Sequence, residues 1–362
     1  MYPALVVLQA LQELELKGEQ VKHPVLWIGG ESGMEEDLLA REGIDFVAIP
    51  AAGVHGVGLK NLPGNMLKLI EGFFKARWVV RKFQPDVLFF TGGYLAVPVA
   101  LAGISRPSAV FVPDIKPGLA LRAIAALTDL IAVSVEKSRA FFRNIKRVRV
   151  TGYPVRKQLL AWSREEAFQE LQLDPGVPTL LVLGGSKGAQ SINQAVSSQL
   201  ADLLPELQII HISGNRDYQE MQQKKRHLSE DGQQRYRLYS YLHEELGAAL
   251  RCADVVLSRA GASILGEYPR FGLPAIVVPY PHAWDYQMRN ARYLEQHGAA
   301  EILLDENLPE QLVDRVLSLV RNRQRREDMA AAMRSLSRPQ AAERIAALLL
   351  QLADEEPGRR KL

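Results

Sequence analysis

Residues 179–193 read TLLVLGGSKGAQSIN, and this stretch decides the fold. The mostly apolar run at residues 179–183 is typical of a strand buried on both faces, and a glycine-rich turn joins it to a helical pattern. The glycines allow close approach of a ligand to the backbone, and the helix start offers free N–H groups to a phosphate. The turn lacks the GxxxxGK[ST] spacing of a Walker A loop, and a purely structural tight turn is the alternative.

The same strand-and-helix unit recurs in both directions along the chain. The predicted strands of the first half are 24–29, 45–49, 86–91, 108–113, 130–134 and 147–151, and its predicted helices are 3–17, 33–42, 62–83, 94–104, 117–128 and 136–143. After a break without a strand at 151–178, strands are predicted within 179–185, 208–214, 236–242, 255–261 and 275–281, and residues 308–353 read as helical throughout. Apolar strands that alternate with amphipathic helices predict parallel sheets covered on both faces. Two series predict two doubly wound α/β domains, with ligands at the carboxyl ends of strands in a cleft between the domains.

Composition narrows the class of protein. The 362 residues carry 44 Lys and Arg against 41 Asp and Glu, a net charge of only +3, which does not favour nucleic acid as a partner. The single cysteine, Cys252, excludes an intramolecular disulfide framework and a Cys-based zinc site, and its apolar neighbours predict a core position. No apolar run approaches the roughly 18–20 residues that span a bilayer, and no secretory signal is evident. A cytoplasmic protein is expected, with attachment to a membrane surface left open.

Residues 258–267, SRAGASILGE, form a second turn after a strand. Gly261, Ala262 and Ser263 open a helix, and Glu267 follows one turn later. Such a turn can hold a diphosphate, and a carboxylate at this position can accept two hydrogen bonds from a ribose diol. The alternative is that Glu267 is only a favourable acid in a first helical turn.

Residues 279–295, PYPHAWDYQMRNARYLE, follow another predicted strand. Asp285 is a candidate N-cap, and the amides of Gln287 and Asn290 can read sugar hydroxyls from the start of the helix. His282 is a candidate acid or base, although a lone loop histidine is more often structural. In TGYPVR, residues 151–156, Arg156 can reach a diphosphate or form an interdomain salt bridge.

These segments together resemble the MurG family of UDP-GlcNAc-dependent transferases, which convert lipid I to lipid II in bacterial peptidoglycan synthesis. The resemblance runs from residue 2 to about residue 350 and rests on GGSxGAxxxN, SRxGAxxxxE, GLPAxxVPxPxxxxxQxxNA and TGxPVR. It implies a GT-B fold of two Rossmann-like domains that face a cleft. It also implies inverting transfer of GlcNAc from UDP-GlcNAc to undecaprenyl-linked lipid I, by a peripheral protein on the cytoplasmic face of the bacterial plasma membrane.

The resemblance assigns domains and donor-side roles. It implies an acceptor and membrane-side domain at 1–155, a UDP-GlcNAc-binding domain at 156–337, and a helix and tail at 338–362 that pack back on the first domain. Ser186 would contact the diphosphate, Arg156 would border the donor site, the backbone near His243 would flank the uracil, and Gln287 would contact the GlcNAc. The residues that would hold the nucleotide, with the last on its ribose, are Ala262, Ser263, Ile264, Leu265, Gly266 and Glu267. No cofactor is implied: no cluster has metal-ligand spacing, and helix starts with an arginine would stabilise the departing UDP.

The acceptor side is predicted in the first domain. Residues 89–103, FFTGGYLAVPVALAG, place Gly92, Gly93 and Tyr94 where a strand meets a helix start, and the resemblance implies that they receive the lipid diphosphate; a structural turn is the alternative. Residues 53–83 combine apolar side chains with basic ones, which suits an anionic membrane surface, although a solvated charged face over a packed one is the ordinary interpretation. The basic residues are Lys60, Lys68, Lys75, Arg77, Arg81 and Lys82.

Two departures from the family pattern weaken the catalytic prediction. MurG proteins carry a GGTGGH loop before the segment matched by YPALVVLQAL, so a chain shortened at its start, without the family's usual histidine base, is expected. The family's HEQN before PGL is replaced by Phe111–Asp114, and its later asparagine is Leu121. Asp114 is the remaining candidate for the catalytic base, with a loop-capping role as its alternative.

Two other functions compete with transfer. A non-catalytic UDP-sugar-binding homologue, which needs a partner or a missing N-terminus, would bind UDP without turnover. A UDP-GlcNAc 2-epimerase shares the fold but would need acidic and histidine residues around both faces of the sugar, which the sequence does not clearly offer.

Overall fold

A computed structural model describes residues 1–17, 24–31, 39–40, 42–52, 62–184, 189–281 and 285–354. The chain forms two compact units: Met1–Pro154 with the segment from Gln340 onward, and Val155–Pro339. Strand pairing is parallel throughout the described sheets, in both units. Each unit is therefore an α/β unit in which helices connect neighbouring strands.

The elements of the described residues are as follows. The strands are β1 (Leu26–Gly30), β2 (Asp45–Ile49), β3 (Leu88–Phe90), β4 (Ser108–Val112), β5 (Leu130–Val133), β6 (Val148–Val150), β7 (Thr179–Leu183), β8 (Gln208–Ile212), β9 (Tyr236–Tyr239), β10 (Val255–Ser258), β11 (Ala275–Val277) and β12 (Ala300–Ile302). The α-helices are α1 (Tyr2–Lys17), α2 (Leu62–Phe83), α3 (Ala96–Ala102), α4 (Leu119–Leu127), α5 (Arg164–Glu170), α6 (Gln190–Ser198), α7 (Leu200–Leu203), α8 (Tyr218–Arg226), α9 (Glu230–Arg235), α10 (Leu246–Cys252), α11 (Glu267–Phe271), α12 (Tyr286–Gln296), α13 (Leu308–Arg321), α14 (Arg323–Ser335) and α15 (Ala341–Asp354).

The first unit contains a pair of strands, β1–β2, and a four-stranded sheet in the order β3–β4–β5–β6. Strand β4 is buried along its whole length, and its alternate residues serve two different layers. Ala109 and Phe111 pack with residues of α1 and α15, whereas Val110 and Val112 join the core formed with α2, α3 and α4. This burial on both faces explains why the strand is apolar at consecutive positions.

The second unit is one six-stranded sheet in the order β12–β11–β10–β7–β8–β9. A large apolar cluster joins strands β7 and β10 to helices α6 and α13, through residues such as Leu180, Leu257, Ile192 and Leu312. Because β7 and β11 flank β10, the loops after these three strands lie next to one another at the carboxyl edge of the sheet.

Most predicted elements are confirmed, with three corrections. The sequence pattern missed β12, and the helix predicted at 136–143 is a 3-10 helix, Glu136–Phe141. The tail is interrupted rather than helical throughout: Asn322 caps α14 by accepting a hydrogen bond from the N–H of Arg325 at 3.0 Å, and residues 336–340 separate α14 from α15. Most of the helix predicted at 33–42 lies outside the described residues.

Cys252 is fully buried, as predicted, and burial raises the pKa of its thiol to about 12. None of the helices within the described ranges combines the length and the apolar character that a membrane crossing requires.

Two glycines of α2 predict opposite effects of one substitution. A Cβ at Gly72 would lie 2.2 Å from the carbonyl oxygen of Pro50, whereas a Cβ at Gly64 would meet no heavy atom within 4 Å. We expect Gly72→Ala to lower the free energy of unfolding by about 1–3 kcal/mol, because the helix must move away from Pro50. The matched control Gly64→Ala should raise it by about 0.5–1 kcal/mol, because alanine restricts the unfolded chain. Urea unfolding followed by circular dichroism measures both, and equal shifts in one direction would contradict the packing described.

Candidate functional site

Loops that carry predicted donor residues follow adjacent strands at the carboxyl edge of the second unit's sheet, which we call the donor edge. Gly184 follows β7, Arg259 follows β10, and Val278 follows β11, three adjacent strands. The remainder of the glycine-rich turn, residues 185–188 with Ser186, lies outside the described residues, and so does His282. Their predicted roles stay predictions.

The turn after β10 is built as a short 3-10 helix, Ala262–Leu265, with Gly261 before it and Gly266 after it. Ile264 and Leu265 are buried and anchor the turn in the core. Ala262, Ser263, Gly266 and Glu267 are partly exposed, so backbone and small side chains form its accessible surface. This arrangement allows a flat or anionic group to approach the backbone closely.

Glu267 begins α11 directly after this turn. Burial raises the pKa of its carboxyl, while the positive charge of Arg156 and a hydrogen bond with Ser263 act in the opposite direction. The structure therefore brings Arg156, Ser263 and Glu267 together, as the sequence predicted for one site. Arg156 itself immediately precedes the 3-10 helix Lys157–Leu160 and is partly exposed.

The start of α12 differs in part from the sequence prediction. The side-chain oxygen of Gln287 accepts a hydrogen bond from the N–H of Tyr280 at 2.9 Å, so its Nε2 is the group left to donate to a ligand. Asn290 is fully buried and donates to the carbonyl of Ala260 at 3.1 Å, so the prediction that it reads a sugar hydroxyl is wrong. Its hydrogen bond instead ties α12 to the turn after β10.

Asp285 stands at the predicted N-cap position but makes no capping hydrogen bond with its side chain. Its backbone is in the left-handed region, with φ of 68°. Its carboxylate accepts a hydrogen bond from Nε of Arg289, one helical turn later, at 2.6 Å. The ion pair replaces the cap, because the left-handed backbone lies outside the extended conformation usual for an N-cap.

His243 lies beyond β9 and is exposed. Its ring packs edge-on against Tyr241 with centroids 4.7 Å apart, and its backbone N–H donates to the carboxylate of Glu245 at 3.2 Å. The loop therefore presents an aromatic surface, while its predicted contact with a base stays a prediction.

Sequence reasoning missed the arginine that links these loops. Arg259 forms an ion pair with Asp305, donates to Oγ of Ser191 at 2.7 Å and to the carbonyl of Val278 at 3.2 Å, and lies over the ring of Tyr280 at 5.2 Å. Ser191 also donates to Asp305 at 2.9 Å. The position of Arg259 directly after a buried strand could have drawn attention to it. Its partner Asp305 could not be recognised, because it lies 46 residues away in sequence.

Sequence reasoning also missed a chain of buried polar side chains that begins on α6. Asn193 on α6 donates through Nδ2 to the carboxylate of Asp217 at 2.8 Å and to the carbonyl of Ser213 at 2.9 Å. Its Oδ1 therefore accepts from Nε2 of His211 at 2.9 Å, and Nδ1 of His211 accepts from the hydroxyl of Tyr236 at 2.7 Å. Burial lowers the pKa of His211 to about 3, which keeps the ring neutral, so one tautomer fixes the direction of the whole chain.

The predicted acceptor residues lie in the first unit. Gly92 and Gly93 follow β3 with φ of 119° and 86°, values that L side chains rarely adopt, and Tyr94 is exposed. Asp114 follows the adjacent strand β4 and is partly exposed, so it lies at the same edge of the sheet as Gly92. Leu121 packs 3.5 Å from the place a Cβ would take on Gly92. The carboxyl edge of this sheet therefore combines the backbone of Gly92 and Gly93, the carboxylate of Asp114 and the apolar side chain of Leu121.

Within the described ranges, no three His, Cys, Asp or Glu residues group closely enough to hold a metal ion. The donor edge brings together two pairs of opposite charges: Arg156 lies near Glu267, and Arg259 is paired with Asp305.

Glycosyltransferase family 28 domains match most of the chain: the N-terminal domain matches residues 1–122 and the C-terminal domain matches residues 179–345. A UDP-N-acetylglucosamine–N-acetylmuramyl-(pentapeptide) pyrophosphoryl-undecaprenol N-acetylglucosamine transferase of Roseiflexus sp. is 37% identical, over 90% of this chain and 82% of its own length. The chain belongs to the MurG family. A transferase of the same name from Halothermothrix orenii is 35% identical, over 94% of this chain and 92% of its own length.

A MurG crystal structure from Acinetobacter baumannii shares the fold. It superposes with a TM-score of 0.71 at 24% identity, over 97% of this chain and 95% of that one. The two α/β units are accordingly of the GT-B type, as the resemblance implied.

Proposed function

We propose that the protein transfers GlcNAc from UDP-GlcNAc to lipid I and so forms lipid II in peptidoglycan synthesis. The observation that carries the proposal is the similarity to transferases named for this reaction over 90% of the chain. The arrangement of Arg156 and Glu267 around the turn after β10 supports it, because the two groups suit a diphosphate and a ribose diol.

We assign donor binding to the second unit. Glu267 accepts hydrogen bonds from the ribose hydroxyls, and the backbone of Ala262–Leu265 and Ser186 contact the diphosphate. Gln287 donates to the GlcNAc through Nε2, since its oxygen is engaged by Tyr280. The loop at His243 flanks the uracil. As the UDP leaves, N–H groups at turns and the charge of Arg156 stabilise its growing negative charge without a metal ion.

We assign acceptor binding to the first unit. Backbone groups at Gly92, Gly93 and Tyr94 receive the lipid diphosphate, and the acceptor hydroxyl attacks the anomeric carbon with inversion. Asp114 is the carboxylate that this edge offers to accept the hydroxyl proton.

We assign membrane attachment to α2, whose outer face is apolar at helical spacing. The exposed side chains are Met66, Leu67, Ile70, Phe74 and Trp78, with Leu67, Phe74 and Trp78 each more than half exposed. Basic residues adjoin them, and Lys82 lies over the ring of Trp78 at 5.0 Å. Such a helix lies flat on an anionic leaflet with its aromatic rings at headgroup level.

Transfer is tested by incubating the full chain with labelled UDP-GlcNAc and lipid I and measuring lipid II. We expect turnover that a chelator leaves unchanged, and a loss of at least about 100-fold in kcat for Asp114→Asn, because a positioned base contributes that much. Asp86→Asn, an exposed carboxylate of the same unit, is the control and should keep wild-type kcat. Binding of UDP without any lipid II would instead favour a non-catalytic homologue, and a strict need for a divalent metal would refute the mechanism.

Glu267→Ala should weaken UDP binding by about 1–3 kcal/mol, because a charged acceptor of the ribose hydroxyls is lost. Since burial raises the pKa of Glu267, wild-type affinity should fall as the pH drops from 7.5 and the carboxylate gains a proton, and the variant should lose this dependence. Calorimetry with UDP at several pH values measures both effects. Glu310→Ala is the matched control, an exposed acid in the first turn of α13. Equal affinity of Glu267→Ala and wild type would remove Glu267 from the site.

Phe74→Ser with Trp78→Ser should lower the fraction of protein bound to phosphatidylglycerol vesicles by at least about tenfold, because burial of each ring contributes roughly 1.5–3 kcal/mol. Co-sedimentation measures the bound fraction, and neutral phosphatidylcholine vesicles should bind the wild type less. Ile145→Ser, an exposed apolar residue of the same unit outside α2, is the control. Undiminished binding of the double variant would place the membrane contact elsewhere.

A further inference from the structure

A cavity of about 680 Å³ lies at the amino-terminal edge of the second unit's sheet. Its lining includes Ala253 and Asp254, just before β10, and Leu273 and Pro274, just before β11. The donor turns follow the carboxyl ends of the same two strands, so the cavity and the donor edge lie at opposite ends of the sheet. We propose that this cavity binds a small di- or triphosphate anion.

The charge of the lining is strongly one-sided. Its arginines are Arg164, Arg251, Arg323, Arg326 and Arg334, against two carboxylates, Asp254 and Glu327. Both carboxylates are already paired, Asp254 with Arg164 at 3.3 Å and Glu327 with Arg323 at 2.7 Å. The other three arginines have no carboxylate partner in the part of the chain that the structure describes. Like charges that share one cavity repel each other, and a bound anion removes that cost.

Helix α14 supplies three of these arginines from one face. Arg323, Arg326, Ala330 and Arg334 recur at steps of three and four residues, which places them on the same side of the helix. Met329 and Met333 are buried on an adjoining side of α14, and through them the helix packs into the unit. The accessible face of α14 therefore presents three guanidinium groups to the cavity.

The arginine stems are held in place before any ligand arrives. Nε of Arg251 donates to the carbonyl of Trp162 at 3.0 Å, and its guanidinium lies 5.1 Å from the ring of Phe271. The side chain of Arg334 crosses Gly272, where an added Cβ would lie 2.6 Å from its Cγ, and the φ of 65° at Gly272 also requires glycine. The terminal nitrogens of Arg251 and Arg334 have no acceptor among the described residues.

Arg326 is fixed in a similar way. It donates through one terminal nitrogen to the carbonyls of Leu319 and Val320 at the end of α13, which leaves its other nitrogens toward the cavity lining. A guanidinium at a helix carboxyl end also meets the negative end of the helix dipole and is stabilised there.

A phosphate compound fits these features better than other anions. Every basic residue of the lining is arginine, whose planar fork binds phosphate oxygens in pairs. The volume falls within the range of about 300–1,000 Å³ that small ligands occupy. A site of this volume lined by five arginines suits a compact, multiply charged molecule.

Calorimetry of the full chain with inorganic tripolyphosphate, at low salt and in excess UDP, tests the proposal. The UDP occupies the donor edge, so the heat reports a second site. We expect binding whose Kd rises at least about tenfold in Arg251→Gln with Arg334→Gln, and which weakens as salt is added. No binding to the wild type, or an unchanged Kd in the double variant, would overturn the proposal.

Matched variants complete the test. Arg325→Gln removes a charge of the same helix outside the cavity, where Arg325 pairs with Glu301 at 2.7 Å, and should leave the Kd unchanged. Arg334→Gln alone should raise the Kd while the unfolding temperature without ligand stays that of the wild type, because Arg334 is exposed. Tighter binding of a hexaglutamate peptide than of tripolyphosphate at equal ionic strength would overturn the assigned ligand class. If UDP does not bind, the proposed function is refuted. The arginine variants then still show whether tripolyphosphate binds at the cavity.

Discussion

The ion pair between Arg259 and Asp305 is the interaction on which the donor edge depends. Arg259 follows β10 and donates hydrogen bonds to the carbonyl of Val278 after β11 and to the carboxylate of Asp305 after β12. It also donates to Oγ of Ser191 at the start of α6 at 2.7 Å. One guanidinium thus joins segments that follow four strands of one sheet. Ile264 and Leu265 anchor the turn after β10 in the core, and the bonds of Arg259 fix that turn relative to the neighbouring loops.

Because the ion pair between Arg259 and Asp305 is largely buried, breaking it costs much of the unit's stability. The side chains of Arg259 and Asp305 are only 11% and 24% exposed, so removal of either would leave an almost desolvated charge, a loss of about 3–5 kcal/mol. An apolar pair of similar volume could stabilise the unit as well, but it would lack the directional bonds to Ser191 and Val278. The geometry of the edge, rather than net stability, is therefore the physical reason for charges here. The chain from Asn193 through His211 to Tyr236 fixes α6 from the opposite side in the same way.

How far sequence predicts this protein depends on whether a feature is local. Buried parallel strands such as β4 and β7 are apolar at nearly every position, and the turns after them carry glycine, so the fold and the position of Glu267 follow from pattern alone. Strand β12 was missed because it has three residues with Glu301 in the middle. Asn290 was misassigned because an amide near a helix start looks the same in sequence whether it faces a ligand or, as here, a buried carbonyl. Arg259 was overlooked because its partner Asp305 is distant in sequence, and only the sheet order β12–β11–β10–β7 brings the two together.

The acceptor edge of the first unit is built on a different principle from the donor edge. Its turn depends on backbone conformation, with positive φ at Gly92 and Gly93, and on apolar contact from Leu121. An apolar side chain over Gly92 offers no hydrogen bond, so under the proposed function the polar contacts at this edge fall to backbone groups, to the exposed Tyr94 and to Asp114. A carboxylate repels a diphosphate but attracts a hydroxyl proton. Asp114 therefore suits the reacting end of the acceptor better than its phosphates, and the glycine backbone suits the phosphates better than the reacting hydroxyl.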